Sequence, residues 1–125
     1  MATTTDKGKS LDCLKFLGKD EEYQVWITKF EANTRVKGFY NVMAGTEVPP
    51  PASQTLKSVE ELKSEERNNT GYCTMFLVMD STRKAFTMVA LAKTMELPEG
   101  CLKKAYDEIK KTYAPNTTTQ NVMLK

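Results

Sequence analysis

The sequence predicts an all-α fold, a compact bundle of about five to six helices in one domain. Several segments repeat apolar residues at helical spacing with charged residues between them. No segment shows the sustained alternation of apolar and polar residues that is typical of a half-buried strand. The chain has 125 residues and 40% of them are hydrophobic, which is sufficient for one core.

The charge and the rare residue types restrict the function classes. The net charge of +2 is too small to predict binding to nucleic acid. The chain has no histidine, which excludes a histidine-based triad, a histidine general base and a mixed Cys/His zinc site within these residues. Three cysteines at wide spacing, Cys13, Cys73 and Cys101, predict reduced thiols in a cytosolic protein. Cys73 and Cys101 stand among apolar residues, so we expect packed small side chains and not nucleophiles.

Residues 1–13 are predicted to form a disordered tail, and residues 14–125 the helical domain. The first ten residues are rich in Thr and Lys and lack the apolar run of a signal peptide. No apolar run approaches the roughly 20 residues that a membrane helix needs, so we expect no membrane contact.

The first helix is predicted between Asp20, which can cap it, and Gly38, which suits its C-terminal end. Trp26 lies in the middle of its apolar stripe and is interpreted as a core anchor, with a ligand or base-stacking platform as the alternative. The stripe consists of Tyr23, Trp26, Ile27 and Phe30. A short helical turn should follow over residues 39–43 and end before Gly45.

Three consecutive prolines at 49–51 predict a stiff, extended connector, with a PxxP-type ligand as the alternative. Ser58 and Glu61 then form a capping box, and the helix they start could extend to about Met79. Its first half is nearly all polar, whereas residues 72–79 are apolar almost all round and should form the buried centre of the domain. Gly71 lies at the boundary between the two halves and is expected either to kink the helix or to allow another helix to pack closely against it.

Two further helices are predicted over residues 82–92, after a cap at Asp80 and Ser81, and over residues 97–116. Pro98 suits the first turn of the second of these, and Pro115 stops it. On its polar side, i,i+4 pairs are expected for Lys103 with Asp107, Lys104 with Glu108 and Asp107 with Lys111. Residues 116–125 could begin one more helix, so the chain looks truncated.

Eight large apolar side chains at these helical positions are expected to anchor the core. They are Tyr23, Trp26, Phe30, Phe76, Phe86, Tyr106, Ile109 and Tyr113. In contrast, paired carboxylates occur only in exposed helical runs, and the sequence has no Gly-rich phosphate loop, GxSxG elbow or HExxH motif. We therefore expect no enzyme activity, no cofactor, no metal site and no small-molecule substrate.

The order of short motifs points to one family. Residues 15–18 (KFLG) precede Tyr23 and Trp26, and residues 37–42 (KGFYNV) follow the first helix. Near the C-terminus, LPEG at 97–100 is followed by AY at 105–106 and by YAPNT at 113–117. This order resembles copia-type (Pseudoviridae) retrotransposon Gag proteins over residues 15–125. The sequence departs from the family in having Tyr106 where a Trp is usual, and in a longer, more charged segment at 57–69.

The resemblance implies a fold like the N-terminal domain of retroviral capsids and a structural function. Such a domain self-associates into the shell of a cytoplasmic virus-like particle around element RNA; a domesticated host gene of the same origin would look identical. RNA would be bound only indirectly, because the family's C-terminal helices and zinc knuckle are not in this sequence. The expected self-assembly surface comprises Lys29, Arg35, Glu61, Glu65 and Arg67. The alternative function is a monomeric adaptor that binds a partner protein through the proline connector or the polar half of the long helix.

Overall fold

The computed structural model describes residues 15–113, and there the chain is helical, which confirms the predicted all-α bundle. Phe16 and Met79 form an isolated parallel β-bridge, and residues 15–113 contain no strand. The predicted tail, Cys13, the stop at Pro115 and the last helix lie outside the described residues. The helices are α1 (Tyr23–Lys37), α2 (Tyr40–Ala44), α3 (Val59–Leu77), α4 (Lys84–Ala90) and α5 (Leu102–Tyr113).

Helix α1 ends as predicted but starts differently. Gly38 adopts the left-handed conformation at φ 91°, and its N–H donates to the carbonyl of Thr34. At the other end, a 3₁₀ turn spans Asp20–Glu22, and the N–H of Glu22 donates to the carbonyl of Lys19. The prediction that the α-helix begins directly after Asp20 is therefore wrong, because this tighter turn precedes it.

The predicted capping box of α3 is confirmed. The backbone N–H of Glu61 donates to the Ser58 hydroxyl at 3.1 Å, and the backbone N–H of Ser58 donates to the Glu61 carboxylate at 2.9 Å. The second half of α3 is buried on one side only. Leu77 is 64% exposed and Cys73 is exposed, so the prediction of a wholly buried segment, including a packed Cys73 thiol, is wrong. The reason is that α2, α4 and α5 cover one side of α3 and leave the other in solvent.

Gly71 lies where α3 meets α5 and the residue before α2. A Cβ at this position would stand 2.3 Å from Leu102 Cδ2 and 2.7 Å from Phe39 Cδ2, far inside van der Waals contact. Of the two roles expected for this glycine, the structure shows the close approach. The absence of a side chain at 71 therefore sets how near α5 lies to α3.

The two C-terminal helices are shorter than predicted. Pro98 lies in a turn before α5, and Gly100, at φ 140°, interrupts the helical conformation that was expected to begin there. Before α4, the Asp80 carboxylate accepts hydrogen bonds from both the N–H and the hydroxyl of Thr82, which holds residues 80–83 in a turn. Each helix therefore begins only after the local turn is complete.

Within the core, an aromatic cluster lies between α1, α5 and the segment before α1. The Phe16 ring stacks on Trp26 at 4.7 Å between centroids, and Trp26 stacks on Phe30 at 5.1 Å. Phe76 and Phe86 pack against each other at 4.8 Å but are only partly buried, so they lie at the margin of the core and are not the central anchors expected. Six of the eight predicted anchors are buried, and they are Tyr23, Trp26, Phe30, Tyr106, Ile109 and Tyr113.

Candidate protein-interaction surfaces

The five residues expected to form the assembly surface lie on two helices. Lys29 and Arg35 are exposed on α1, whereas Glu61, Glu65 and Arg67 are half-buried on the polar part of α3. The two groups belong to different kinds of surface, because the residues on α3 contact the proline connector and the residues on α1 face outward.

The α3 residues fasten the connector, defined here as residues 47–58, to the helix. Both Nε and Nη2 of Arg67 contact Glu47 Oε2, at 2.8 and 2.7 Å. Lys57 forms an ion pair with Glu65. The Gln54 side chain donates to the Glu61 carboxylate at 3.0 Å. Three of the five predicted assembly residues therefore already have hydrogen-bond or ion-pair partners within the same chain.

The electrostatics of this surface favour the ionised carboxylates. Burial by itself raises the pKa of Glu47, but the hydrogen bond and charge of Arg67 outweigh it, so the pKa is lowered. The backbone N–H of Ser58 and the amide of Gln54 hold the pKa of Glu61 below its usual range. Sequence reasoning missed these partners because Glu47 and Arg67 are twenty residues apart and follow no periodic pattern.

A mainly apolar cavity of about 240 Å³ lies beneath the connector. The connector is held over it by a second attachment, since the backbone N–H of Ala52 donates to the carbonyl of Glu96 at 2.7 Å. Most of the lining comes from short apolar side chains, among them Val42, Val48, Pro49, Pro51 and Leu97, together with Cys101. The proline connector is therefore one wall of a pocket and not a free segment.

The outward face of α1 carries an apolar stripe that sequence analysis did not predict. Val25 is 61% exposed and Val36 is 83% exposed, and Ala32 and Lys29 lie exposed between them. Close to the C-terminal end, the guanidinium of Arg35 lies 4.2 Å from the centre of the Tyr40 ring, which orients the side chain. The two valines are eleven residues apart, which places them on one face of a helix. Sequence analysis did not identify this face because the inward stripe is the stronger apolar pattern.

Comparison of the chain with known protein families, with characterised proteins and with solved structures gave no match.

The basic side of α5 is partly neutralised. Lys103 contacts Asp107 at 2.6 Å, as predicted, and this contact raises the pKa of Lys103. Lys104 instead donates to the carbonyl of Lys93 at 3.1 Å. The other two expected pairs, Lys104 with Glu108 and Asp107 with Lys111, do not form among residues 15–113. Lys104 is drawn away because the loop before α5 offers it a backbone acceptor.

Residues 15–113 contain neither a candidate metal site nor a candidate membrane-spanning helix. Within residues 15–113, no group of three Cys, Asp or Glu side chains is arranged to hold a metal ion. No helix in this part of the chain combines the length and the apolar composition that crossing a bilayer requires.

Proposed function

We propose that this chain is a structural domain that self-associates into a shell, as the capsid domain of a copia-like retrotransposon Gag protein or a domesticated derivative of one. The observation that carries the proposal is the order of the motifs along the chain. In support of it, residues of these motifs occupy positions on which the fold depends. Gly18, at φ 81°, lies against the Arg83 side chain, Gly38 ends α1, and Trp26 and Tyr106 are buried.

The mechanism is geometric. Stacked aromatic rings hold α1 and the segment before it in a fixed relation, so each copy presents surfaces of defined shape. Weak contacts repeated between identical copies build a closed shell when successive rotations from one copy to the next return to the first copy. In this proposal the shell is a cytoplasmic virus-like particle, and RNA is enclosed through a region outside this sequence.

The first test is assembly itself. Sedimentation velocity over a range of protein concentrations should show multimers that increase with concentration, and negative-stain electron micrographs should show closed particles at the highest concentration. Measurements on a chain extended by its natural C-terminal sequence, where the gene encodes one, should give more complete particles. A chain that remains monomeric at every concentration would contradict the proposal.

The contribution of the α3 surface is tested by charge reversal. Glu65→Lys together with Arg67→Glu should reduce the number of particles, but each change also breaks an internal ion pair. We therefore add the swapped pairs Lys57→Glu with Glu65→Lys and Glu47→Arg with Arg67→Glu, which reverse the surface charge and keep opposite charges facing each other. The swapped variants should keep the wild-type melting curve measured by circular dichroism and should still form fewer particles. Normal particles from both would remove this surface from the proposal.

The second candidate, a monomeric adaptor, is favoured by the apolar cavity beneath the connector. A partner's apolar side chain entering this cavity would contact Val48, which is 80% exposed at its edge. The adaptor predicts a monomer at all concentrations and a loss of partner binding on Val48→Asp. The capsid proposal predicts that Val48→Asp leaves assembly unchanged, so the same variant separates the two functions.

A further inference from the structure

Helix α1 carries exposed apolar side chains on the face nearly opposite to the one that packs in the core. At 100° per residue, Val25, Lys29, Ala32 and Val36 fall within about 60° of one another, and the core residues centre on the other side of the helix. We call these four residues the outer stripe. Its two valines are mostly exposed, so nothing within residues 15–113 covers them. An exposed apolar stripe along a rigid helix is typical of a surface that packs on another protein.

The outer stripe is complementary to itself when two helices run antiparallel. In the register in which position 25 of one copy faces position 36 of the other, position 29 faces position 32 as well. Each Val25 then meets a Val36, and the aliphatic stem of each Lys29 lies over the small Ala32 while its ammonium group reaches solvent. Because Ala32 is small, the two helix axes can approach closely at the middle of the stripe.

The charges at the ends of α1 favour the same orientation. Glu21 is exposed in the 3₁₀ turn that precedes the helix, and Arg35 is exposed in the last turn of the helix. Antiparallel pairing brings the Glu21 end of one copy alongside the Arg35 end of the other, at both ends of the contact. The helix dipoles also oppose each other favourably in this arrangement, whereas parallel pairing would align like charges.

We propose that α1 pairs antiparallel with α1 of a second copy about a twofold axis, through the outer stripe. This inference rests on the proposed function, because it specifies one of the contacts between self-associating copies. A single helix stripe buries less than the roughly 1,200 Å² of a stable interface, so the isolated pair is weak. Such a contact contributes in a shell, where each copy makes several at once.

Disulfide trapping tests the orientation. Two proteins are prepared, Val25→Cys and Val36→Cys, both with Cys73→Ser because the native Cys73 thiol is exposed. A disulfide requires Cα atoms within about 7 Å, and equivalent positions on antiparallel copies are about 16 Å apart along the axis. The mixture should therefore form a 25–36 linked dimer under mild oxidation, whereas each protein alone should not link through its new cysteine. Mass spectrometry of the linked peptides identifies which cysteines have reacted.

The strength of the contact is tested by a charge in the stripe. Val25→Asp should weaken self-association about tenfold or more, because the twofold axis places two aspartates against two valines. Asp is tolerated at this position for folding, since it lies in the first turn of α1 and favours the helix dipole. Met95→Asp is the matched control, because Met95 is 94% exposed and lies in a loop. It should leave self-association unchanged, and both variants should keep the wild-type thermal melt.

The outcomes separate this inference from the proposed function. Links of 25 to 25 and of 36 to 36 would show parallel pairing and overturn the inference. The inference is also overturned if no 25–36 link forms while the wild-type protein sediments as multimers, but the proposed function then stands. A wild-type protein that is monomeric at every concentration overturns both.

Discussion

Tyr106 shows how one side chain links α5 to α1. The residue is 7% exposed, and its hydroxyl donates to the Glu31 carboxylate at 2.6 Å. Burial, together with the hydrogen bond and the charge of Glu31, raises the pKa of Tyr106. The sequence predicted a core anchor at Tyr106. The partner of its hydroxyl was not predictable, because Glu31 is 75 residues away.

Substitutions at Tyr106 should separate its ring from its hydroxyl. Tyr106→Ala should lower the free energy of unfolding by about 3–5 kcal/mol, because it leaves a cavity in the core. Tyr106→Phe should lower it by less, about 1.5–3 kcal/mol, because it removes only the hydrogen bond to the charged Glu31 carboxylate. Urea melts measure both values. A loss under about 1 kcal/mol for the alanine variant would contradict the buried placement of the ring.

At the scale of the elements, the start of α5 is determined by α3. Asn68 is almost fully buried, and its Oδ1 accepts from the backbone N–H of Leu102 at 2.9 Å. Its Nδ2 donates to the carbonyl of Gly100 at 3.0 Å. Asn68 therefore caps a helix that begins 34 residues later, which satisfies a backbone donor at the buried end of α5. This explains why Pro98, a good first-turn residue by local rules, lies outside the helix.

Removing this cap should loosen α5 from α3. Asn68→Ala leaves the N–H of Leu102 and the carbonyl of Gly100 without their partner in the interior, so the free energy of unfolding should fall by about 2–4 kcal/mol. Thr70→Ala, two residues along α3 and exposed, is the control and should change it by less than about 0.5 kcal/mol. Equal effects of the two substitutions would show that Asn68 does not act as the cap.

At the scale of the whole molecule, stability depends on keeping buried tyrosines neutral. Tyr23 stacks on Tyr113 at 5.7 Å and is 3% exposed. Burial, with a smaller effect of the Glu31 charge, raises the pKa of Tyr23 to about 12 from its ordinary value of 10.0. The folded state therefore holds this proton more tightly than the unfolded state does.

The free energy of unfolding should consequently fall in alkaline solution. The contribution of the neutral Tyr23 is complete below pH 10 and is lost as the pH rises through about 12. Over this range the loss from Tyr23 is on the order of 2 kcal/mol. Urea melts at pH 8 and pH 11 should show a steeper decline for the wild-type protein than for Tyr23→Phe. An equal decline in the wild-type protein and in Tyr23→Phe would mean that the pKa of Tyr23 is the same in the folded and unfolded states.

The sequence by itself determined what depends on neighbouring residues along the chain. The inward stripe of α1, the left-handed Gly38 and the Ser58 capping box all follow from local spacing and local hydrogen bonds, and each is present in the structure. Tertiary structure decided where distant segments meet: the cap from Asn68 to Leu102, the ion pair of Glu47 with Arg67, and the exposure of Val25 and Val36. These features depend on contacts between residues far apart in the chain, or on which surfaces the fold leaves uncovered, and local periodicity contains no information about either.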